Sequence, residues 1–227
     1  MLAFLHTARA HVATFAQLAR DIDDTIPVQH RVAERLLADA TTAGTLTNAV
    51  RAALADEIRD LARVGSSLIV CTCSTLGGAA ESAPTSTCTV MRIDRPMAEQ
   101  AVFSGRRIIV IAALRSTLAP TTELLRQVAA NAKRSPVVVE VLNESAWRLW
   151  EGGEPANYAQ AIAQTIAANA QRDDIVLLAQ ASMAPASELV RHLGVPVLSS
   201  PKSGVIAAMA KYRALEKVVG ARRSTGE

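Results

Sequence analysis

Short apolar runs recur along this chain, and each breaks into a turn of small residues before helical spacing resumes. Leu2–Leu5, Leu68–Cys71, Arg107–Ala113, Val137–Leu142, Ile175–Leu178 and Val195–Leu198 are such runs. Their length and unbroken hydrophobicity suit strands buried on both faces. Between them, segments such as Ala8–Arg20, Leu46–Val64, Thr121–Ala132 and Tyr158–Ala170 carry helical periodicity. Strands alternating with helices predict an α/β chain with mainly parallel sheets, and in such sheets ligands sit beyond the carboxyl ends of the strands. Pro27 confines Thr25–His30 to a sheet edge, and Thr47 or Asn48 is placed to cap a helix. A further helix is expected over Pro185–Leu193. The core must be built from Ala, Leu and Val, because only 3% of the 227 residues are aromatic.

The pattern also repeats. His6 and Cys73 close two strands 67 positions apart, and Leu114 and Ala181 do the same in the second half. Ser67–Ser74 lays over Ile175–Ser182, matching Cys73 to Ala181 and Ser74 to Ser182. The reading is two pseudo-symmetric lobes, each a mainly parallel sheet flanked by helices, with a cleft between them. Residues 1–104 form the first lobe, 105–200 the second, and 201–227 a terminal helix packing back on the first.

The chemistry concentrates at Leu68–Gly78. After Cys71 the run gives way to Thr72-Cys73-Ser74-Thr75, then Gly77-Gly78 and alanines. A strand running into such a turn offers backbone N–H groups to an anion, and a helix start depresses the pKa of a thiol placed on it. Cys73 is accordingly the candidate base or nucleophile. Cys71 sits deeper and reads as core, as does Cys88. The three cysteines lack the paired spacing and nearby histidine of a zinc site, so no metal is expected. They do not form a disulfide framework either, which points to a reducing, cytoplasmic setting. A net charge of +3 without a basic stripe interleaved with aromatics argues against nucleic acid as partner. No run is long enough for a membrane span. A homo-oligomer is compatible with the sequence.

These motifs resemble those of the aspartate/glutamate racemase superfamily. The first-lobe signature there is apolar residues followed by Ala-Cys-Asn-Thr, and Thr72-Cys73-Ser74-Thr75 is similar to it. A second signature, Ala-Thr-x-x-Thr, is matched in part by Ala113-Leu-Arg-Ser-Thr117. The third, Gly-Cys-Thr followed by His or Glu and soon a proline, meets Gln180-Ala181-Ser182-Met183-Ala184-Pro185, which keeps the hydroxyl and proline but lacks the thiol. The resemblance implies cofactor-independent, isomerase-type carbon-acid chemistry on a small carboxylate or related carbonyl compound through one active thiol, Cys73. It also implies that His6 assists the thiol and that Thr7, Ser74, Thr75, Thr117 and Ser182 bind substrate. Decarboxylation or cis–trans isomerisation through Cys73 is the alternative chemistry. A small-ligand binding protein that has lost the relay is the alternative class. Asp94, Glu144, Trp147 and Lys202–Gly204 lie near the expected cleft, with capping or packing accounting for each.

Overall fold

The computed structural model describes residues 1–225, with side chains described through Val218; the last two residues of the expected 201–227 segment lie outside the described residues. Two four-stranded parallel sheets form the two lobes. The first half runs β1 (Leu2–His6), α1 (Ala10–Asp23), β2 (Val28–Val32), α2 (Glu34–Ala43), α3 (Asn48–Arg63), β3 (Leu68–Cys71), α4 (Ser74–Glu81), β4 (Thr89–Arg92) and α5 (Arg95–Ser104). The second runs β5 (Arg107–Ala112), α6 (Arg115–Asn131), β6 (Val137–Leu142), α7 (Glu144–Glu151), α8 (Pro155–Asn169), β7 (Ile175–Leu178), α9 (Ala186–Leu189), β8 (Val197–Ser199) and α10 (Ser200–Thr225).

The strand orders are β2-β1-β3-β4 and β6-β5-β7-β8, so β5 to β8 repeat β1 to β4 in both sequence and space. Leu5 pairs with Cys71, and Ile111 with Leu178. The central strands β1, β3, β5 and β7 are almost wholly buried, with apolar clusters on both faces of each sheet. That explains why they read as continuous apolar runs rather than alternating ones. Gly44 ends α2 in the left-handed region at φ 67°, and Thr47 Oγ1 accepts the Val50 N–H at 3.2 Å to start α3.

Two features depart from the sequence reading. The segment Pro185–Leu193 is not one helix. It gives only the four-residue α9 and a 3-10 turn at Arg191–Leu193, preceded by another 3-10 turn at Ala181–Met183. The chain turns at Val190, which it buries in the second-lobe core. The lobes also exchange helices. α5 lies inside 1–104, yet Met97, Ala98, Ala101 and Val102 pack against Ile108 and Val110 of β5 and against Ile175 and Leu177 of β7. Reciprocally, Val205, Ala208, Met209 and Tyr212 of α10 pack on Leu2, Phe4 and Val70 of the first sheet. By packing, therefore, the crossover falls at about residue 94 rather than 104.

Candidate active site

Both turns that follow the inner strands β3 and β7 open toward one chamber. Its lining includes Thr7, His11, Thr72, Cys73, Ser74 and Thr75 from the first lobe, and Leu114, Thr117, Trp147, Trp150, Gln180, Ala181 and Ser182 from the second. The turns are held alike. Thr72 Oγ1 donates to Leu5 O at 3.1 Å, and Gln180 Oε1 accepts the Ala113 N–H at 2.7 Å. Each bond ties a turn to the end of the neighbouring central strand. Across the cleft the Thr75 and Thr117 hydroxyls lie 3.1 Å apart and join the lobes.

Cys73 is the residue that precedes α4, in extended conformation. Its sulfur is approached by the hydroxyls of Thr7 and Thr75 and by the N–H groups of Thr75 and Leu76. These donors stabilise a thiolate, yet burial outweighs them and raises the thiol above its ordinary pKa. The resting group is the neutral thiol, not the depressed thiolate expected from the helix start. Cys71 is fully buried beneath it, donates to Cys73 O at 3.6 Å, and is likewise pushed up by burial.

His6 does not reach Cys73. Its Nδ1 bonds Thr72 Oγ1 and its Nε2 bonds His30 Nδ1, each at 2.9 Å. Because the Thr72 hydroxyl already donates to Leu5 O, His6 must donate from Nδ1 and accept at Nε2, and His30 must donate from Nδ1. Burial lowers the His6 pKa to about 3, with His30 and His11 adding to the effect. His6 is therefore a neutral strut behind the turn, outside the chamber lining. The histidine that does line the chamber is His11 on α1, which sequence reasoning passed over.

Thr7, Ser74, Thr75, Thr117 and Ser182 all line the chamber. Ser182 Oγ lies 3.1 Å from the Tyr158 hydroxyl, whose pKa burial pushes up to about 12. Trp147 and Trp150 from α7 form an apolar wall with Leu37 and Leu114. The cavity measures only about 40 Å³, but two outer grooves of about 730 and 510 Å³ share residues with it. Among the described residues, no formally charged side chain lines the chamber itself. Asp94 does not cap α5 with its side chain; it forms a buried bidentate pair with Arg92 at 2.6 and 2.9 Å. The Arg92 guanidinium also reaches Ser74 O and Pro120 O, supporting the Cys73 turn from beneath. Among the described residues no cluster of metal-ligating side chains occurs, and no helix is long and apolar enough to cross a membrane.

The fold and chamber define a two-lobed α/β protein with a thiol and hydroxyl cleft between paired strand-to-helix turns. Solved structures share the architecture. An aspartate racemase from Picrophilus torridus superposes with a TM-score of 0.68 at 15% identity, over 92% of this chain and 93% of that one. An allantoin racemase from Pseudomonas fluorescens gives 0.58 at 19%, over 94% and 92%. A glycine-to-cysteine mutant of arylmalonate decarboxylase gives 0.54 at 19%, over 92% and 91%. No curated protein sequence matches. Residues 6–208 match the Asp/Glu/Hydantoin racemase family, and the chain belongs to that family.

Proposed function

We propose that the protein is a cofactor-independent, racemase-like carbon-acid enzyme that moves a proton at one face of a small carboxylate, with Cys73 as its one thiol acid/base. The observation that carries this is the asymmetry of the chamber. Cys73 lines one side, and the matching turn of the other lobe supplies Ala181 and Ser182. A carboxylate held by the turn N–H groups and hydroxyls would present its α-carbon to the sulfur, and charge developing on the carboxyl oxygens would be met by those same donors. The Cys73 proton passes to the α-carbon of the planar intermediate, and the four donors around the sulfur take up the resulting thiolate. In the reverse direction the thiolate removes the proton from that same face.

The neutral resting thiol favours a second reading, decarboxylation. Loss of carbon dioxide from a substrate with two carboxylates on one carbon leaves the electron pair on that carbon, and Cys73 then supplies the proton with no base required. Nuclear magnetic resonance of a panel of small carboxylates in deuterated water tests both. We expect α-deuteration without inversion, or deuterated product from a malonate, and loss of either in Cys73→Ser. Because the thiol must first ionise to remove a proton, exchange should rise about tenfold per pH unit below its pKa, whereas decarboxylation should not. Exchange or decarboxylation undiminished in Cys73→Ser would overturn the assignment of the thiol. No reaction with any carboxylate would favour a binding role.

A further inference from the structure

The chamber holds one ionisable group that this chemistry leaves unused, His11. Both of its ring nitrogens are buried without a hydrogen-bond partner, unlike those of His6, which are both bonded. The ring is packed among Phe15 at 6.0 Å, Trp150 at 6.0 Å and the edge of His6 at 6.4 Å between centroids. It lines the chamber beside Thr7 and Cys73. Across the chamber, Gln180 commits its Oε1 to Ala113 and leaves a buried Nε2 unpartnered. A neutral imidazole offers one donor and one acceptor, and a carboxylate can use only the donor. Protonation makes both nitrogens donors and supplies the positive charge that the chamber lacks.

We propose that His11 is the countercharge of the site: an anion entering the chamber draws a proton from solvent onto the His11 ring, so that substrate binds as an anion and a proton together. The proposal rests on the reading of the chamber as a carboxylate site.

The groups packed around His11 leave it free to play this part. His6 on β1 and His30 on β2 are held neutral by burial. Cys73 is a thiol, and Tyr158, tilted against Trp150, is pushed up to about 12 by burial. Glu34 and Glu151 line the outer groove that shares Thr7 and Trp150 with the chamber, and neither lines the chamber itself. Burial holds the free His11 at about 4, so the empty site is unprotonated near neutrality. An anion raises that value, and binding then takes up a proton.

Calorimetry of propionate and phenylacetate binding at pH 6, in buffers of different ionisation enthalpy, tests this. We expect uptake approaching one proton per anion, and affinity that falls by up to about tenfold per pH unit between pH 6 and 8. His11→Gln should bind at least about tenfold more weakly, with no uptake and little pH dependence. Nitrogen-15 spectra of the histidine-labelled native protein read the same event without a variant: on anion addition His11 should become doubly protonated while His6 stays neutral. Binding without uptake, a His11 that stays neutral, or uptake that survives in His11→Gln would each overturn the proposal. Deuterium exchange observed alongside any of these would leave the Cys73 reading standing. Failure of both binding and exchange would remove the two together.

Discussion

At the scale of single residues, access and burial decide the behaviour of the three cysteines. A helix start lowers a thiol pKa, but Cys73 is only 8% exposed, and the cost of an ion there exceeds what its four donors return. Brief iodoacetamide treatment at neutral pH should therefore modify the half-buried Cys88 first, Cys73 later and Cys71 last; peptide mass spectrometry reads the order, and early labelling of Cys73 would show an ionised thiol at rest. A thiol depressed at the helix start, as the sequence suggested, would put Cys73 first instead; the turn is legible and the packing over it is not. Leu37, Trp147 and Trp150, from two different lobes, line the same chamber as Cys73. His11 was missed for a related reason. A lone histidine in an amphipathic helix has no spacing partner, and its orphaned ring matters only beside Trp150 from far along the chain. His6 was overvalued because its place at a strand end says nothing about which neighbour its ring meets.

Among elements, the close contacts are those where a helix start or end meets a strand. A Cβ on Gly204 would lie 2.3 Å from Ile93 O and 2.5 Å from Ile93 Cδ1, whereas one on Gly78 would meet only Arg92 Nη1 at 3.5 Å. The glycine in the first turn of α10 thus lets that helix seat on the end of β4. Gly204→Ala should destabilise by about 1–3 kcal/mol through overpacking. Gly78→Ala should be neutral or gain up to about 1 kcal/mol from helix propensity. Denaturant melts of the two variants make the comparison, and equal midpoints would sink it. The central strands were legible because burial on both faces leaves polar residues only at their ends. The break of the helix expected after Pro185 was not, since it depends on drawing Val190 into a core that the local pattern does not reveal.

For the whole molecule, the decisive relation is the near two-fold repeat that sets Cys73 against Ala181. Ala181 lies at the chamber wall, 9% exposed, so Ala181→Cys places a second thiol on the face that lacks one. We expect this variant to invert a carboxylate that the parent only deuterates, with a gain on the order of a hundredfold in inversion. Polarimetry alongside deuterium uptake checks it, and a parent that already inverts as fast as it exchanges would show that Ala181 is no deficit. The repeat itself was visible in the 67-residue spacing, and the return of the last helix to the first lobe was expected, but the packing of α5 on the second sheet was not, because a helix sequence does not say which of two apolar sheets it covers. That exchange bears on ancestry. A lone half built on this plan would send its last helix away from its own sheet and leave one face bare. Two identical copies would repair the defect by lending each other that helix. Joined in one chain, the two halves need not match at their turns, and here one carries the thiol of Cys73 and the other the methyl of Ala181.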